Sequence, residues 1–347
     1  MVSGGRSILY DRDKVSRPLI SVLVPVLDEA DNILPLCEAL EGVMDQVSQR
    51  YQFELIFTDN HSDGRTFPVL EELAKRDGRI RVYRFSRNFG FQRSILTGYL
   101  NARGDAVVQI DCDLQDPPEI ILKFIEAREQ GCQVVYGVRR SRQEGWLLRK
   151  ARDLFYSLVD LLSEYPLPRH AGDFRLVARP LIEEIRRMDD PAPYLRGAIA
   201  GLGFDQTGVP YDRRERQRGR SKFHFRSLAA LAVDGILSSS VIPLRVATFA
   251  GLIISFLTVC GIAFYVVLAL FYGEGWPSGF ATITVLLLLG ISVNSLFLGI
   301  IGEYLGRIYK QSKKQPVSIV QYSIENGVVA DHAAPPGRIS TESQSSS

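Results

Sequence analysis

The sequence predicts an α/β domain built on a mainly parallel sheet, followed by interfacial helices and two C-terminal transmembrane helices. Three observations lead there. Short apolar runs alternate with amphipathic stretches between residues 20 and 137, the pattern of strands joined by crossover helices. Two aspartates, Asp111 and Asp113, directly follow one of those runs. Two long uncharged runs, 246–272 and 276–302, lie near the C-terminus, and each exceeds the ~20 residues that cross a bilayer core.

The elements follow in order. Residues 20–25 read as the first parallel strand, and 32–47 as a helix with Ile33, Leu36, Leu40 and Val43 on one face. Strands at 53–58 and 81–85 enclose a helix at 68–75, and a helix at 91–101 precedes a strand at 106–110. Asp116 stands where it can cap the next helix, with Pro117 in the first turn and Ile120, Ile121, Phe124 and Ile125 on the apolar face. A further strand is expected at 134–137. No G-x-G-x-x-G follows the first strand, so the dinucleotide fingerprint is absent. Residues 147–163 read as an amphipathic helix, 213–222 as a strongly basic stretch and 227–240 as an apolar segment suited to the membrane interface. Beyond Val329 the chain is rich in Ser, Pro and Ala and reads as disordered. The expected organisation is an N-terminal extension (1–18), a cytoplasmic catalytic domain (19–226), an interfacial helix region (227–245), a two-helix transmembrane domain (246–306) and a largely disordered tail (307–347).

Residues 1–18 are polar and charged and lack the apolar core of a signal peptide. Arg226 and Arg245 precede the two spans, and Arg307, Lys310, Lys313 and Lys314 follow them. The positive-inside rule then puts the catalytic domain and both termini in the cytoplasm, with the short 273–279 loop outside. The expected location is multi-pass, in the inner (cytoplasmic) membrane. A net charge of +2 gives no bulk attraction to nucleic acid, and none is expected as partner. The four cysteines are scattered without a C-x-x-C, which argues against a zinc site or disulfide framework and fits a reducing compartment.

The chemistry concentrates after the fourth strand, in Asp111-Cys112-Asp113-Leu114-Gln115-Asp116-Pro117-Pro118. Two carboxylates one residue apart repel unless a cation compensates them. A hard divalent ion with oxygen ligands is the simplest compensation, and Gln115 offers a third oxygen. Carboxyl ends of strands in an open α/β sheet are where ligands bind. The stretch therefore points to a metal that in turn holds phosphates.

Four motifs arrive in order: Val24-Pro25-Val26-Leu27-Asp28-Glu29, Thr58-Asp59-Asn60-His61-Ser62-Asp63-Gly64, Ser86-Arg87-Asn88-Phe89-Gly90, and the Asp111–Glu119 stretch. Together they resemble glycosyltransferase family 2, and within it the polyprenyl-phosphate glycosyltransferases, which include dolichol-phosphate mannose synthases and bacterial undecaprenyl-phosphate sugar transferases. The resemblance runs from about Ile20 to Lys310. It implies a GT-A-type nucleotide-sugar-binding domain, with the paired C-terminal spans of the bacterial branch.

Carried over residue by residue, the resemblance implies that Asp113 and Gln115 touch Mg²⁺ or Mn²⁺, with Asp111 nearer the nucleoside. Pro25, Asp28 and Glu29 match the loop that holds the nucleotide, and Asp59 a second nucleoside-binding loop. Two departures stand out: Leu27 where an aromatic is common, and Asn60-His61 in place of Asp-Gly. His61 reads equally as a plain turn residue, and Arg87 either as a phosphate contact or as part of a solvated loop. Arg139, Arg142, Arg152, Ser221 and Lys222 match positions that face the diphosphate or the acceptor phosphate. A solvated charge run, or headgroup binding by the 213–222 stretch, are the alternatives. Asp173, in Gly172-Asp173-Phe174-Arg175, stands where the family's catalytic base is often placed; a structural aspartate bonded to Arg175 is the other reading.

The expected reaction is inverting, metal-dependent transfer from a nucleotide-sugar, with a UDP-sugar as donor, to a polyprenyl phosphate, with undecaprenyl phosphate as acceptor. The product would be a lipid-linked sugar for envelope glycans. Family members often form tetramers, so a homotetramer is an expected assembly. A processive polysaccharide synthase would share the early motifs, but no Arg-Trp dipeptide of its usual signature exists here. A non-catalytic membrane scaffold would have no need of the Asp111, Asp113 and Gln115 set.

Overall fold

The computed structural model describes residues 17–140, 171–214 apart from 189, 191 and 192, scattered positions between 249 and 271, 279–312 and 316–332. At its centre lie four parallel strands in the order β4-β1-β2-β3: β1 (Leu19–Val26), β2 (Gln52–Asp59), β3 (Ile80–Phe85) and β4 (Ala106–Gln109). These strands are buried on both faces, which is why they read as near-continuous apolar runs. Alternate side chains divide between two cores. Val22, Val24, Phe57 and Val108 meet Ile33, Leu36 and Leu40 of α1 (Ala30–Val47), Leu70 of α2 (Thr66–Arg76) and Phe124 of α4 (Ile120–Glu129). Leu23, Ile56 and Val107 meet Ile95 and Tyr99 of α3 (Phe91–Asn101), Leu181 of α5 (Arg179–Arg187) and Ile199 of α6 (Leu195–Gly201).

The core is mainly parallel, as expected, and the flanks add antiparallel pairs to it. β6 (Ala171–Ala178) lies between β4 and β5 (Val134–Arg139), antiparallel to both, and β7 (Gln206–Tyr211) forms the edge beside β5. β6 carries Asp173 and Arg175 in mid-strand, and β7 contains Gly208 and Pro210. Charges in the first and breakers in the second erase a strand signal, and proline is tolerated at an edge. At the other edge β8 (Val320–Glu325) runs antiparallel to β3 and pairs with β9 (Val328–Asp331). The tail expected to be disordered thus contributes a hairpin to the sheet. Its turn is Asn326-Gly327, both with positive φ (51° and 75°), the pairing a two-residue hairpin turn requires.

Glu325 fastens this hairpin. It accepts hydrogen bonds from Arg81 Nη2 (2.8 Å), Tyr83 Oη (2.7 Å) and Arg103 Nη2 (2.6 Å). Burial pushes its carboxyl up, but Arg81, Tyr83 and Arg103 outweigh burial and bring it down to about 2. A depressed carboxyl stabilises the fold above its ordinary value and loses that contribution as pH falls toward 2. Glu325→Gln is therefore expected to cost roughly 1–2 kcal/mol at pH 7, a figure reduced for a side chain one-third exposed, and much less near pH 3. Denaturant titrations at the two pH values check it.

Gly98 of α3 rests against Leu23 of β1; a Cβ there would lie 2.1 Å from Leu23 Cδ1. Leu23 is fully buried, so Gly98→Ala should overpack the site and cost about 1–3 kcal/mol, read as a lowered unfolding midpoint.

The second uncharged run forms α7 (Phe280–Ser312), 33 residues or about 50 Å at 1.5 Å per residue. It is the one helix among the described residues long and apolar enough to cross a bilayer, and Leu286, Leu298 and Leu305 stand about 60% exposed on it. Described residues of the first run, such as Gly251, Ile253 and Phe264, are helical, and a Cβ on Gly251 would lie 3.3 Å from the Phe297 ring of α7.

Candidate active site

The loops leaving the carboxyl ends of β1, β2 and β3 interlock. Asp28 has a left-handed backbone (φ 57°), which a short polar side chain tolerates. Its N–H donates to Ser62 Oγ (2.9 Å) and its Oδ1 accepts the Asp63 N–H (2.9 Å). Glu29 lies beside it and accepts from Asn32. Pro25 sits on β1 opposite Thr58. Asp59 is fully buried; Oδ1 accepts the Ser62 N–H (2.9 Å) and Oδ2 meets Arg84 Nη1 (3.1 Å). The unusual Asn60 staples the next loop: its Nδ2 donates to Asn88 Oδ1 (2.9 Å) and its Oδ1 accepts the Phe89 N–H (2.8 Å). His61 is a turn residue (φ 64°) with Nδ1 3.0 Å from the Phe85 carbonyl. Arg87 is exposed, stacks on the Phe89 ring (4.1 Å) and bonds the Asn88 carbonyl (3.3 Å), so its contacts stay within its own loop.

The second half of the site surrounds the turn after β4. Asp113 Oδ1 accepts the Gln115 N–H (3.1 Å), and Leu114 between them takes a left-handed φ of 57°. Asp116 does not cap α4, which begins at Ile120 after a turn through Pro117 and Pro118. It is instead 0% exposed. Tyr211 Oη donates to its Oδ1, Arg213 Nε lies 3.4 Å from Oδ1, and Arg139 Nη2 lies 3.7 Å from Oδ2. Proline in the first turn lacks only a donor; the aspartate's own place was decided by the cationic wall that β5 and β7 bring over it.

β6 carries Asp173 to the same place. Its carboxylate is gripped on both oxygens by Arg196, at 2.8 and 2.7 Å, with Arg175 Nη2 further off at 3.8 Å. Burial raises Asp173, but Arg196, with Arg175 and Arg139 behind it, outweighs burial and holds it below the usual carboxylate range. Asp111, half-buried, goes the other way. Burial first, then Asp116, Asp173 and Asp113, push it up to about 7 against the pull of Arg139. Gly172 lets Arg139 in, since a Cβ there would lie 3.0 Å from its Nη2.

One neighbourhood therefore unites Asp111, Asp113, Gln115, Asp173 and Arg139 with Asp116 in a buried role, Arg213 of the basic stretch, and two residues not singled out from the sequence, Tyr211 and Arg196. Arg142, Arg152, Ser221 and Lys222 lie outside the described residues. Arg213 opened the basic stretch and was legible as charge; Arg196 and Tyr211 carried no local signal.

Residues 21–186 match the family described as Glycosyl transferase family 2. An uncharacterized glycosyltransferase of Bacillus subtilis (strain 168), YkcC, is 38% identical over 313 residues, covering 88% of this chain and 95% of its own. The chain belongs to glycosyl transferase family 2. A bactoprenol glucosyl transferase of Shigella phage SfV is 34% identical over 306 residues, 87% of this chain and 98% of that one. Among solved structures, the mannosyltransferase PcManGT from Pyrobaculum calidifontis, in complex with GDP-Man and Mn²⁺, superposes with a TM-score of 0.46 over 64% of each chain at 17% identity.

For this glycosyltransferase the donor chemistry around Asp113 fits a hard divalent ion. The candidate donors Asp111, Asp113 and Gln115 are all oxygen. Among the described residues no three His, Cys, Asp or Glu side chains converge on one point. A Mg²⁺-like ion does not require that, because it commonly takes one or two carboxylates and completes its shell with water and substrate phosphates.

Proposed function

We propose that this glycosyltransferase moves a sugar from a nucleotide-sugar, with a UDP-sugar as the expected donor, to the phosphate of a membrane polyprenol, with inversion at the anomeric carbon. The printed activity of the phage relative, bactoprenol glucosyl transferase, supports the acceptor class. The observation that carries the reading is the tether between α7 and the site. α7 ends at Ser312, and Ile319 accepts a hydrogen bond from the Ser86 N–H (2.9 Å) at the carboxyl end of β3. The seven residues 313–319 span at most about 24 Å. An apolar helix fastened there keeps the carboxyl ends of the strands within reach of a bilayer surface. The exposed apolar faces of α7 and of the first run support two spans. The flanking basic residues support a cytoplasmic catalytic domain.

Roles follow from chemistry. Asp28, Glu29 and Asp59 shape the nucleoside end; Asp113, with Asp111 and Gln115 beside it, faces the diphosphate. A divalent ion held at Asp113 would neutralise the charge that develops on the departing diphosphate. Arg139 and Arg213 provide fixed guanidinium forks matched to phosphate oxygens. A lipid phosphate monoester has a second pKa near ~6 and is largely ionised at neutral pH. Its oxygen attacks the anomeric carbon from the face opposite the nucleoside diphosphate, so the new bond between that carbon and a lipid-phosphate oxygen forms as the bond between the carbon and the diphosphate oxygen breaks. Held by arginines, the attack becomes effectively intramolecular. Asp173 then orients groups through Arg196 and need not take a proton.

Membranes containing the protein, incubated with labelled UDP-sugars, polyprenyl phosphate and Mn²⁺, should yield a labelled lipid extractable into organic solvent. No labelled lipid with any common donor would overturn the proposal.

A further inference from the structure

The geometry points to Arg213 as a built-in counter-cation that shares the seat of the divalent ion and is driven off Asp113 when that ion binds. The inference rests on the metal reading above and adds to it a competitor supplied by the chain. Four carboxylates crowd this end of the sheet, and their cations are unequally committed. Arg196 is taken up by Asp173 through two short bonds. Arg175 bonds the Gly172 carbonyl (3.0 Å), and Arg139 bonds Tyr211 Oη (3.3 Å). Arg213 reaches both Asp116 Oδ1 (3.4 Å) and Asp113 Oδ2 (4.0 Å), yet its Nε is buried with no hydrogen-bond partner. Asp116 Oδ2, on a side chain with no exposure, also lacks a hydrogen-bond partner.

While Asp116 keeps the bond from Tyr211 Oη, the Arg213–Asp116 ion pair is made without a hydrogen bond between the two side chains, so it recovers less of its desolvation cost than a well-bonded one. This is a contact of charge, and of weak geometry, so it is readily exchanged. The backbone around it is held by bonds that do not involve the guanidinium. The Arg140 N–H bonds the Tyr211 carbonyl (2.9 Å), and the Arg214 N–H bonds the Gln115 carbonyl (2.9 Å). Arg213 can therefore turn away from Asp113 while residues 211 and 214 stay in register with the Asp113–Gln115 turn. A divalent ion at Asp113 would repel a guanidinium about 4 Å from the same carboxylate. The diphosphate arriving with the ion offers it a better partner, because phosphate accepts a guanidinium in a two-point fork.

The test is Mn²⁺ affinity, read as free Mn²⁺ by electron paramagnetic resonance on the full-length protein in detergent, with Mn²⁺ alone and with Mn²⁺ plus UDP. Arg213→Gln should bind Mn²⁺ alone about fivefold or more tighter than wild type, since it removes a charge at contact range. Arg213→Lys keeps the charge and should bind Mn²⁺ alone as wild type does. With UDP present the advantage of Arg213→Gln should disappear or reverse, because the phosphate partner is lost. If Arg213→Gln, shown folded by circular dichroism, binds Mn²⁺ alone no tighter than wild type, the counter-cation inference falls while the metal reading stands. If wild type binds no Mn²⁺ with or without UDP, the metal reading falls and takes the inference with it.

Discussion

Asp113→Asn is expected to abolish sugar transfer, with a loss of at least ~10³-fold in kcat/KM, while leaving the protein folded. Asp113 is 9% exposed and sets the turn after β4 through Oδ1 and the Gln115 N–H. Asparagine keeps that acceptor, so the turn survives. It removes the charge, and with it the ligand that one or two carboxylates must provide for a Mg²⁺-like ion. The charge that develops on a departing diphosphate then goes unneutralised, an effect worth several kcal/mol in the barrier. Stability should stay within ~1 kcal/mol of wild type, since the cluster also holds Asp111, which burial and then its acidic neighbours push up to about 7. Asp113→Ala should lose activity and the turn together. The pair separates chemistry from folding: transfer of labelled sugar measures the first, a denaturation midpoint the second. Activity of Asp113→Asn equal to wild type would remove Asp113 from the metal site.

Legibility in the sequence tracked how local each cause was. β1 to β4 and the helices between them were readable because two-sided burial makes their strands continuous apolar runs and their helices one-sided. β6 was unreadable because the residues that bring it to the site, Asp173 and Arg175, are charged and sit in mid-strand. β8 and β9 were masked by the composition of the tail around them, although Asn326-Gly327 was in plain view as a hairpin turn. At the site, Asp111, Asp113 and Gln115 could be found because they are neighbours in sequence at a strand end. Asp116 was misplaced because a local rule, capping, competed with a long-range one: Tyr211, 95 residues away, donates to it. A separation of 23 residues likewise hid Arg196 from Asp173. Arg87 drew attention for its motif, and in the structure it is exposed on its loop beside Phe89 and Asn88.

Arg196→Ala should lower transfer as severely as Asp173→Ala, by roughly 10²–10⁴-fold, with the double variant no worse than either single one. Residues that act as a unit show this non-additivity. The comparison decides what Asp173 does. A general base works best with a pKa near the operating pH, whereas burial raises Asp173 and Arg196, together with Arg175 and Arg139, more than reverses that, leaving it below the carboxylate range. Were Asp173 the base, removing Arg196 would let burial raise it and make it a stronger one, and transfer would hold or rise. If Asp173 and Arg196 position the substrates, the same substitution destroys the pair and the rate falls. Stability gives an independent sign. With Arg196 present, the lowered carboxyl stabilises the fold above its ordinary value and that contribution fades as pH drops. Without Arg196 the buried carboxylate is left with Arg175 at 3.8 Å, its carboxyl rises, and the cost is greatest where it must stay ionised. Arg196→Ala should therefore cost roughly 2–3 kcal/mol at pH 7, below the range for a fully buried pair because Arg196 is about one-third exposed. The cost should shrink at pH 4 as Asp173 takes up a proton. A rate that is retained, or a stability loss that does not change with pH, would return Asp173 to the role of base or remove it from the ion pair.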